Sequence, residues 1–286
     1  MIIVKLKGGL GNQMFQYACA KHLAERNNDI LKIDLGWYHD GIPVGDTVRT
    51  YALDKFAISA QVATESEIKK IGGRPFWLCR LARKIINKLR PIRSYVFDPN
   101  ILERKGDAYL EGFFQSEKYF KDIAFIIHNE FRLKDIMGRA AHGVLEDIES
   151  SNAVSVHVRR GDYVSNKPAS AFFGVCPPEY YRAAIALIGE RMDAPKFFVF
   201  SDDIGWVKEH IEISNAVYVS QKDIADYEEL VLMSKCKHNI IANSSFSWWG
   251  AWLNMDPNKI VIAPKRWVAD PRVDTSDAIP EGWVRI

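Results

Sequence analysis

Along the second half of the chain, apolar and polar positions alternate between two rhythms. Short, largely apolar runs recur at 153–158, 197–200, 216–219, 239–242 and 259–263. Between them the period becomes helical. Pro177-Pro178 opens one such stretch, in which Tyr181, Ala184, Ile185 and Ile188 share a face. Further helices are predicted over 204–211 and 226–236, and another starts in Ser244-Ser245. Buried strands alternating with helices predict a parallel sheet covered on both faces. Such a doubly wound domain binds its ligand beyond the C-terminal ends of its strands.

The first half opens in the same way. A strand ends at Leu6, Gly8-Gly9-Leu10-Gly11-Asn12-Gln13 turns the chain, and a helix sets Phe15, Ala18, Cys19, His22 and Leu23 on one face. A second strand covers 30–34. The pattern then weakens, with a loop over 37–48 and a clear strand again only at 108–110. The polar stretch 138–152 is the best boundary, giving α/β domains at 1–150 and 151–286.

Composition narrows the class of protein. Of 286 residues 48% are apolar and 26% charged, the profile of a chain with a real core, and a net charge of +2 gives no nucleic-acid signal. Cys19, Cys79, Cys176 and Cys236 are dispersed without metal or redox spacing, which suits a reducing cytoplasm. The N-terminus lacks the regions of a signal peptide. No run approaches the roughly 20 apolar residues that span a bilayer. A cytoplasmic protein is expected.

Three segments carry candidate chemistry. In Val156-His157-Val158-Arg159-Arg160-Gly161-Asp162-Tyr163, two arginines follow a buried strand, where desolvated charge needs a partner. Guanidinium forks match phosphate, so the pair is either a diphosphate clamp or a solvated loop in which Asp162 balances one arginine. Gly161 is expected to allow a tight turn. In Asn243-Ser244-Ser245-Phe246-Ser247-Trp248-Trp249-Gly250-Ala251-Trp252, a strand leads into a helix whose free N–H groups form an anion site. One serine can equally be a plain cap, and Trp248, Trp249 and Trp252 read as core. Asn12 and Gln13 either cap the first helix or face a sugar. Ser201-Asp202-Asp203 ends another strand, and an N-cap is preferred there over a metal ligand. No other cluster has metal-ligand spacing.

Together the segments 8–17, 115–120, 157–163, 201–203 and 243–253 resemble, in order, the α-1,2-fucosyltransferases of bacteria and animals, glycosyltransferase family 11. The resemblance spans nearly the whole chain. It implies a GT-B-type enzyme of two Rossmann-like domains facing a cleft, an acceptor-side domain followed by one for GDP-β-L-fucose. The implied reaction is metal-independent, inverting transfer of L-fucose to the 2-hydroxyl of a galactoside, in bacterial O-antigen, lipopolysaccharide or capsule synthesis. The alternatives are another linkage such as α-1,3, set by loops such as 36–50 and 167–175, or a catalytically silent nucleotide-sugar-binding protein.

With no metal, Arg159, Arg160 and the Ser244-Ser245 helix terminus would take the charge of departing GDP. The resemblance adds Asn12 to the catalytic set. It gives a donor pocket of His157, Asp162, Glu229, Asn243, Ser244, Ser245, Phe246, Gly11 and Gln13. Glu229 falls where relatives carry a base-reading Asp, and one carboxylate accepts both donors of guanine. No cofactor beyond the donor substrate is expected. The implied acceptor is a β-galactoside-terminated oligosaccharide, free or lipid-linked. The stretch Arg74 to Arg93 holds seven Lys or Arg, no acid and interleaved apolar residues. Either it lies on an anionic inner-membrane surface, or its apolar face packs on the N-terminal domain.

Overall fold

The computed structural model describes residues 1–39, 48–72, 95–220 and 223–286. The chain divides into two compact units, 1–134 with 271–280, and 135–270 with 281–286. The division therefore falls before the helix Arg139–Glu149, not after it. Ala141 and Ile148 of that helix are buried with Phe198, Phe200 and Met233, and this packing assigns the helix to the second unit. The basic stretch 74–93 lies outside the described residues.

Unit 1 holds a four-stranded sheet. Its strands are β1 (Ile2–Lys5), β2 (Leu31–Asp34), β3 (Gln61–Val62) and β4 (Ala108–Leu110), in the order β3-β2-β1-β4. All pairs are parallel. The order reverses between β1 and β4. The first helix, Leu10–Asn27, is buried on nearly every side over its first four turns and not on one face alone. That burial includes two amides, Gln13 and Gln16, each with no exposed surface. Gln16 accepts from the Lys7 N–H at 2.9 Å and donates to the Lys7 carbonyl at 3.2 Å, so it pins the turn after β1.

Unit 2 holds six parallel strands in the order β10-β9-β8-β5-β6-β7. They are β5 (Ala153–Val158), β6 (Lys196–Ser201), β7 (Ala216–Tyr218), β8 (His238–Ile240), β9 (Val261–Ala263) and β10 (Val284–Arg285). The expected helices are Pro178–Gly189, Ile204–His210, Asp226–Lys235 and Ser245–Trp252. β5 is buried at all six positions. Val154, Val156 and Val158 pack with Tyr181, Ala184 and Ile188 on one face, while Ala153, Phe198 and Phe200 meet Leu232 and Met233 on the other. This double coverage is why β5 reads as a continuous apolar run. The strand order reverses between β5 and β8, and doubly wound sheets bind ligands at such a switch point.

Candidate donor site

Register builds the site. Val158 of β5 is the partner of Ser201 in β6, so Arg159 and Arg160 leave the sheet beside Asp202 and Asp203. Arg159 Nη1 lies 2.9 Å from Asp202 Oδ2, and Arg159 Nη2 lies 2.5 Å from Asp162 Oδ1. Arg160 Nε lies 3.1 Å from Asp203 Oδ2, and the Arg160 N–H donates to Asp202 Oδ1 at 2.8 Å. The Arg160 guanidinium also stacks 3.7 Å from the centre of the Trp206 ring. Asp162 pairs with one arginine, and Asp202 and Asp203 join it, so three carboxylates meet two guanidinium groups. Burial works against the Arg159 charge, but Asp202 and Asp162 outweigh it and raise its pKa. Both guanidinium groups are thus fixed in direction at the strand ends.

Asp203 also caps the helix Ile204–His210, accepting the Trp206 N–H at 3.2 Å. Capping and ion pairing are shared by one carboxylate. Gly161 is required for a different reason than expected. A Cβ there would run into the Asp202 carboxylate, so the need is close approach and not turn geometry.

On the other side of the switch point, Ser244 is the N-cap of Ser245–Trp252, its Oγ accepting the Phe246 N–H at 3.3 Å. Ser245 and Phe246 are partly exposed in the first turn. Trp248 and Trp249 are fully buried and Trp252 nearly so, as core. Asn243, expected as a donor contact, is a brace in the fold. Its buried Nδ2 donates to the carbonyls of Phe173, Gly174 and Trp267, and its Oδ1 accepts from Cys176 Sγ.

His157 is buried, paired in register with Phe200 and 5.6 Å from the Phe246 ring. Its Nδ1 has no hydrogen-bond partner. Burial first, and then the neighbouring Arg159 charge, hold its pKa down to about 3, so the ring is neutral. A buried ring nitrogen without a partner is rare in folded proteins.

Glu229 joins the same cluster. Burial pushes its carboxyl up to about 7, a hydrogen bond to Ser220 opposes this, and the charges of Asp226 and Asp202 add to it. Ser220 in turn accepts the Ser201 N–H at 2.9 Å, which ties Glu229 to the C-terminal ends of β6 and β7. The adjacent Glu228 is structural. It is 5% exposed, accepts the Ala225 N–H at 3.0 Å to box the helix start, and accepts the Gly138 N–H at 2.7 Å.

The remaining expected residues lie in unit 1. Asn12 Oδ1 accepts from Gln115 Nε2 at 2.6 Å. Neither Asn12 nor Gln13 caps the first helix, whose N-cap is Gly9. Gln13, expected in the donor pocket, braces the turn before the helix. Its amide donates to the carbonyls of Gly8 and Thr50 and accepts the Ala52 N–H. Gly11 is buried in the first turn beside it. Sequence reasoning missed Trp206 as the platform for Arg160; the only available signal was an aromatic two residues past a helix start. Among the described residues no group of three or more His, Cys, Asp or Glu is placed to hold a metal ion. Among those residues no helix is long and apolar enough to cross a membrane.

Comparison with known proteins identifies the family. An α-1,2-colitosyltransferase of Escherichia coli is 36% identical, over 100% of this chain and 99% of that protein. The O-antigen biosynthesis glycosyltransferase WbnK of Escherichia coli is 33% identical, over 98% and 99%. Galactoside α-(1,2)-fucosyltransferase 1 of Lagothrix lagotricha is 31% identical over 52% of this chain and 44% of its own length. The solved structure of the fucosyltransferase NodZ from Bradyrhizobium superposes with a TM-score of 0.52 at 14% identity, covering 87% of this chain and 92% of NodZ. That likeness shows the fold, α/β of the GT-B type. The description of Glycosyl transferase family 11 matches residues 1–286, and this chain, a glycosyltransferase, belongs to that family.

Proposed function

We propose that this chain is an inverting transferase that moves L-fucose from GDP-β-L-fucose to the 2-hydroxyl of a terminal galactoside, in bacterial surface-polysaccharide assembly on the cytoplasmic side. The observation that carries this reading is the pair Arg159 and Arg160, held by Asp162, Asp202 and Asp203 beside the helix terminus at Ser244. As the glycosidic bond breaks, negative charge grows on the β-phosphate and positive charge on the sugar ring. Fixed guanidinium groups and free helix N–H groups stabilise the former without reorganising. Glu229, as a carboxylate, accepts N1–H and the 2-amino group of guanine, and His157 Nδ1 takes a further polar contact of the nucleotide. Asn12 acts at the transfer step from unit 1. The reading is metal-independent, and the ion pairs of Asp202 and Asp203 with the arginines support it.

A second reading takes GDP-L-colitose as donor, and the 36% identity to a colitosyltransferase favours it. Colitose is L-fucose without its 3-hydroxyl, so both donors present the same diphosphate and the same base to unit 2. Incubation with each GDP-sugar and a panel of β-galactosides, in EDTA, followed by NMR of the product linkage, separates them. An α-1,2-fucoside is the expected product. An α-colitoside alone moves the donor assignment, and an α-1,3 linkage moves the acceptor assignment. With no transfer or donor hydrolysis, the chain is a nucleotide-sugar-binding protein. Loss of activity in EDTA, restored by Mn²⁺ or Mg²⁺, overturns metal independence.

A further inference from the structure

Unit 1 carries a feature that the donor chemistry does not use. Where β4 ends, the chain runs through Gly112-Phe113-Phe114 and beside the 3₁₀ turn Pro99–Ile101, enclosing a hollow of about 540 Å³. That volume lies within the range of small-ligand sites, about 300–1,000 Å³. We propose that this hollow is a carbohydrate-binding subsite, which holds the acceptor oligosaccharide; its role as acceptor subsite rests on the transferase reading above.

Four observations point to a sugar. The base of the hollow is aromatic: Tyr119 and Phe114 are buried, with ring centres 5.5 Å apart, and Phe97 meets Tyr119 edge-on at 4.9 Å. Phe97 and Phe113 remain partly exposed, so apolar ring surface is left for the C–H face of a pyranose. The rim is polar and ordered. Asp98 Oδ1 accepts both the Asn100 N–H at 3.1 Å and its Nδ2 at 2.7 Å, which sets a carboxylate and an amide side by side for hydroxyl groups. Among the described residues lining the hollow Asp98 carries the one charge, and the nearby Lys7 is paired with Glu111 at 3.8 Å, which favours a neutral polyol over a phosphate.

The geometry is also held at a cost. Phe114 has φ +49°, a conformation that bulky residues rarely adopt, and a Cβ on Gly112 would lie 2.7 Å from its ring. Strain of this sort persists where surrounding structure imposes it, commonly at ligand clamps. Here Asp277 accepts the Phe97 N–H at 2.8 Å, and Tyr119 OH accepts the Asp98 N–H at 2.8 Å. The Gly112-Phe113-Phe114 wall of the hollow follows directly on β4, the strand at the reversal of order in this sheet. Lys7, just past β1, sits 4.7 Å over Phe113, and Gln115, one residue beyond Phe114, holds Asn12.

Saturation-transfer NMR of the full chain with a β-galactose-terminated tetrasaccharide tests the subsite without requiring turnover. Wild type should show transfer to the sugar protons. Phe113→Ala and Asp98→Ala should each weaken binding about tenfold, the loss of one stacked ring or one hydroxyl partner. GDP affinity by calorimetry should be unchanged in both variants, which shows that unit 2 is intact. No binding by wild type, or equal binding by wild type and both variants, overturns the subsite. Binding without transfer of any GDP-sugar leaves the subsite standing and removes the transferase reading.

Discussion

Asp202 pairs with Arg159 at 2.9 Å because their strands are locked in a register that makes Ser201 the partner of Val158. The same carboxylate accepts the Arg160 N–H, so it orients one arginine through the side chain and the other through the backbone.

Releasing that carboxylate should therefore act on turnover and not on donor binding alone. Arg159→Ala and Arg160→Ala are each expected to lower kcat on the order of a hundredfold. Asp202→Ala should approach that loss, because a shift of about 1 Å in a catalytic group costs on the order of a hundredfold. Gly161→Ala should share the phenotype, since its methyl would displace Asp202. Steady-state kinetics decide the matter. Near-normal kcat in both Asp202→Ala and Gly161→Ala would sink the positioning role.

Donor affinity should depend on pH through Glu229. Burial raises its carboxyl from 4.5 to about 7, so at neutral pH it is partly protonated and cannot accept both guanine donors. Isothermal titration with GDP should show affinity rising from pH 6 to pH 8, and Glu229→Gln should flatten that dependence. Stability runs the other way. The folded state holds a proton that the unfolded chain releases between pH 4.5 and 7, so this group's contribution falls as pH rises through that window. A GDP affinity with the same pH profile in wild type and Glu229→Gln would show that the base is read elsewhere.

Glu228 differs from its neighbour in kind. Glu228→Ala strands the N–H groups of Ala225 and Gly138, a loss of about 1–3 kcal/mol for a buried donor left unpaired. Urea unfolding should show that loss while discrimination between GDP and ADP stays intact. Glu229→Ala should raise the KM for GDP-fucose and relax that discrimination. Identical behaviour of the two variants in both assays would refute the division of labour.

His157 is held neutral, its pKa depressed from 6.5 to about 3 by burial and by Arg159. The unfolded chain takes up that proton first, so this group's contribution to stability is full above pH 6.5 and is lost as pH falls toward 3. His157→Phe should reduce the difference in urea midpoint between pH 8 and pH 5, and should weaken GDP binding by removing the unpaired Nδ1. Unchanged GDP affinity would show that Nδ1 does not face the nucleotide.

Much of the architecture is written locally. The apolar runs at 153–158 and 197–200 are strands because a strand between two layers of helix must be apolar on both faces. Asp203 and Ser244 stand at helix starts because their oxygens satisfy free N–H groups, a need that is local in sequence. The arginine pair, the serine terminus and the tryptophan core were likewise open to sequence reasoning. Tertiary structure decided the rest. Nothing in the sequence states that β5 pairs with β6 at an offset that sets Arg159 against Asp202 and Arg160 against Asp203, since register follows from how the crossover helix packs on the sheet. The roles of Asn243 and Gln13 were hidden for the same reason: their partners, Trp267 and Thr50, are distant along the chain, and an amide looks alike whether it meets a ligand or a carbonyl. The helix Arg139–Glu149 changes unit because its apolar face is covered by strands and a helix that come later in the chain, and only the folded packing reveals which core buries it.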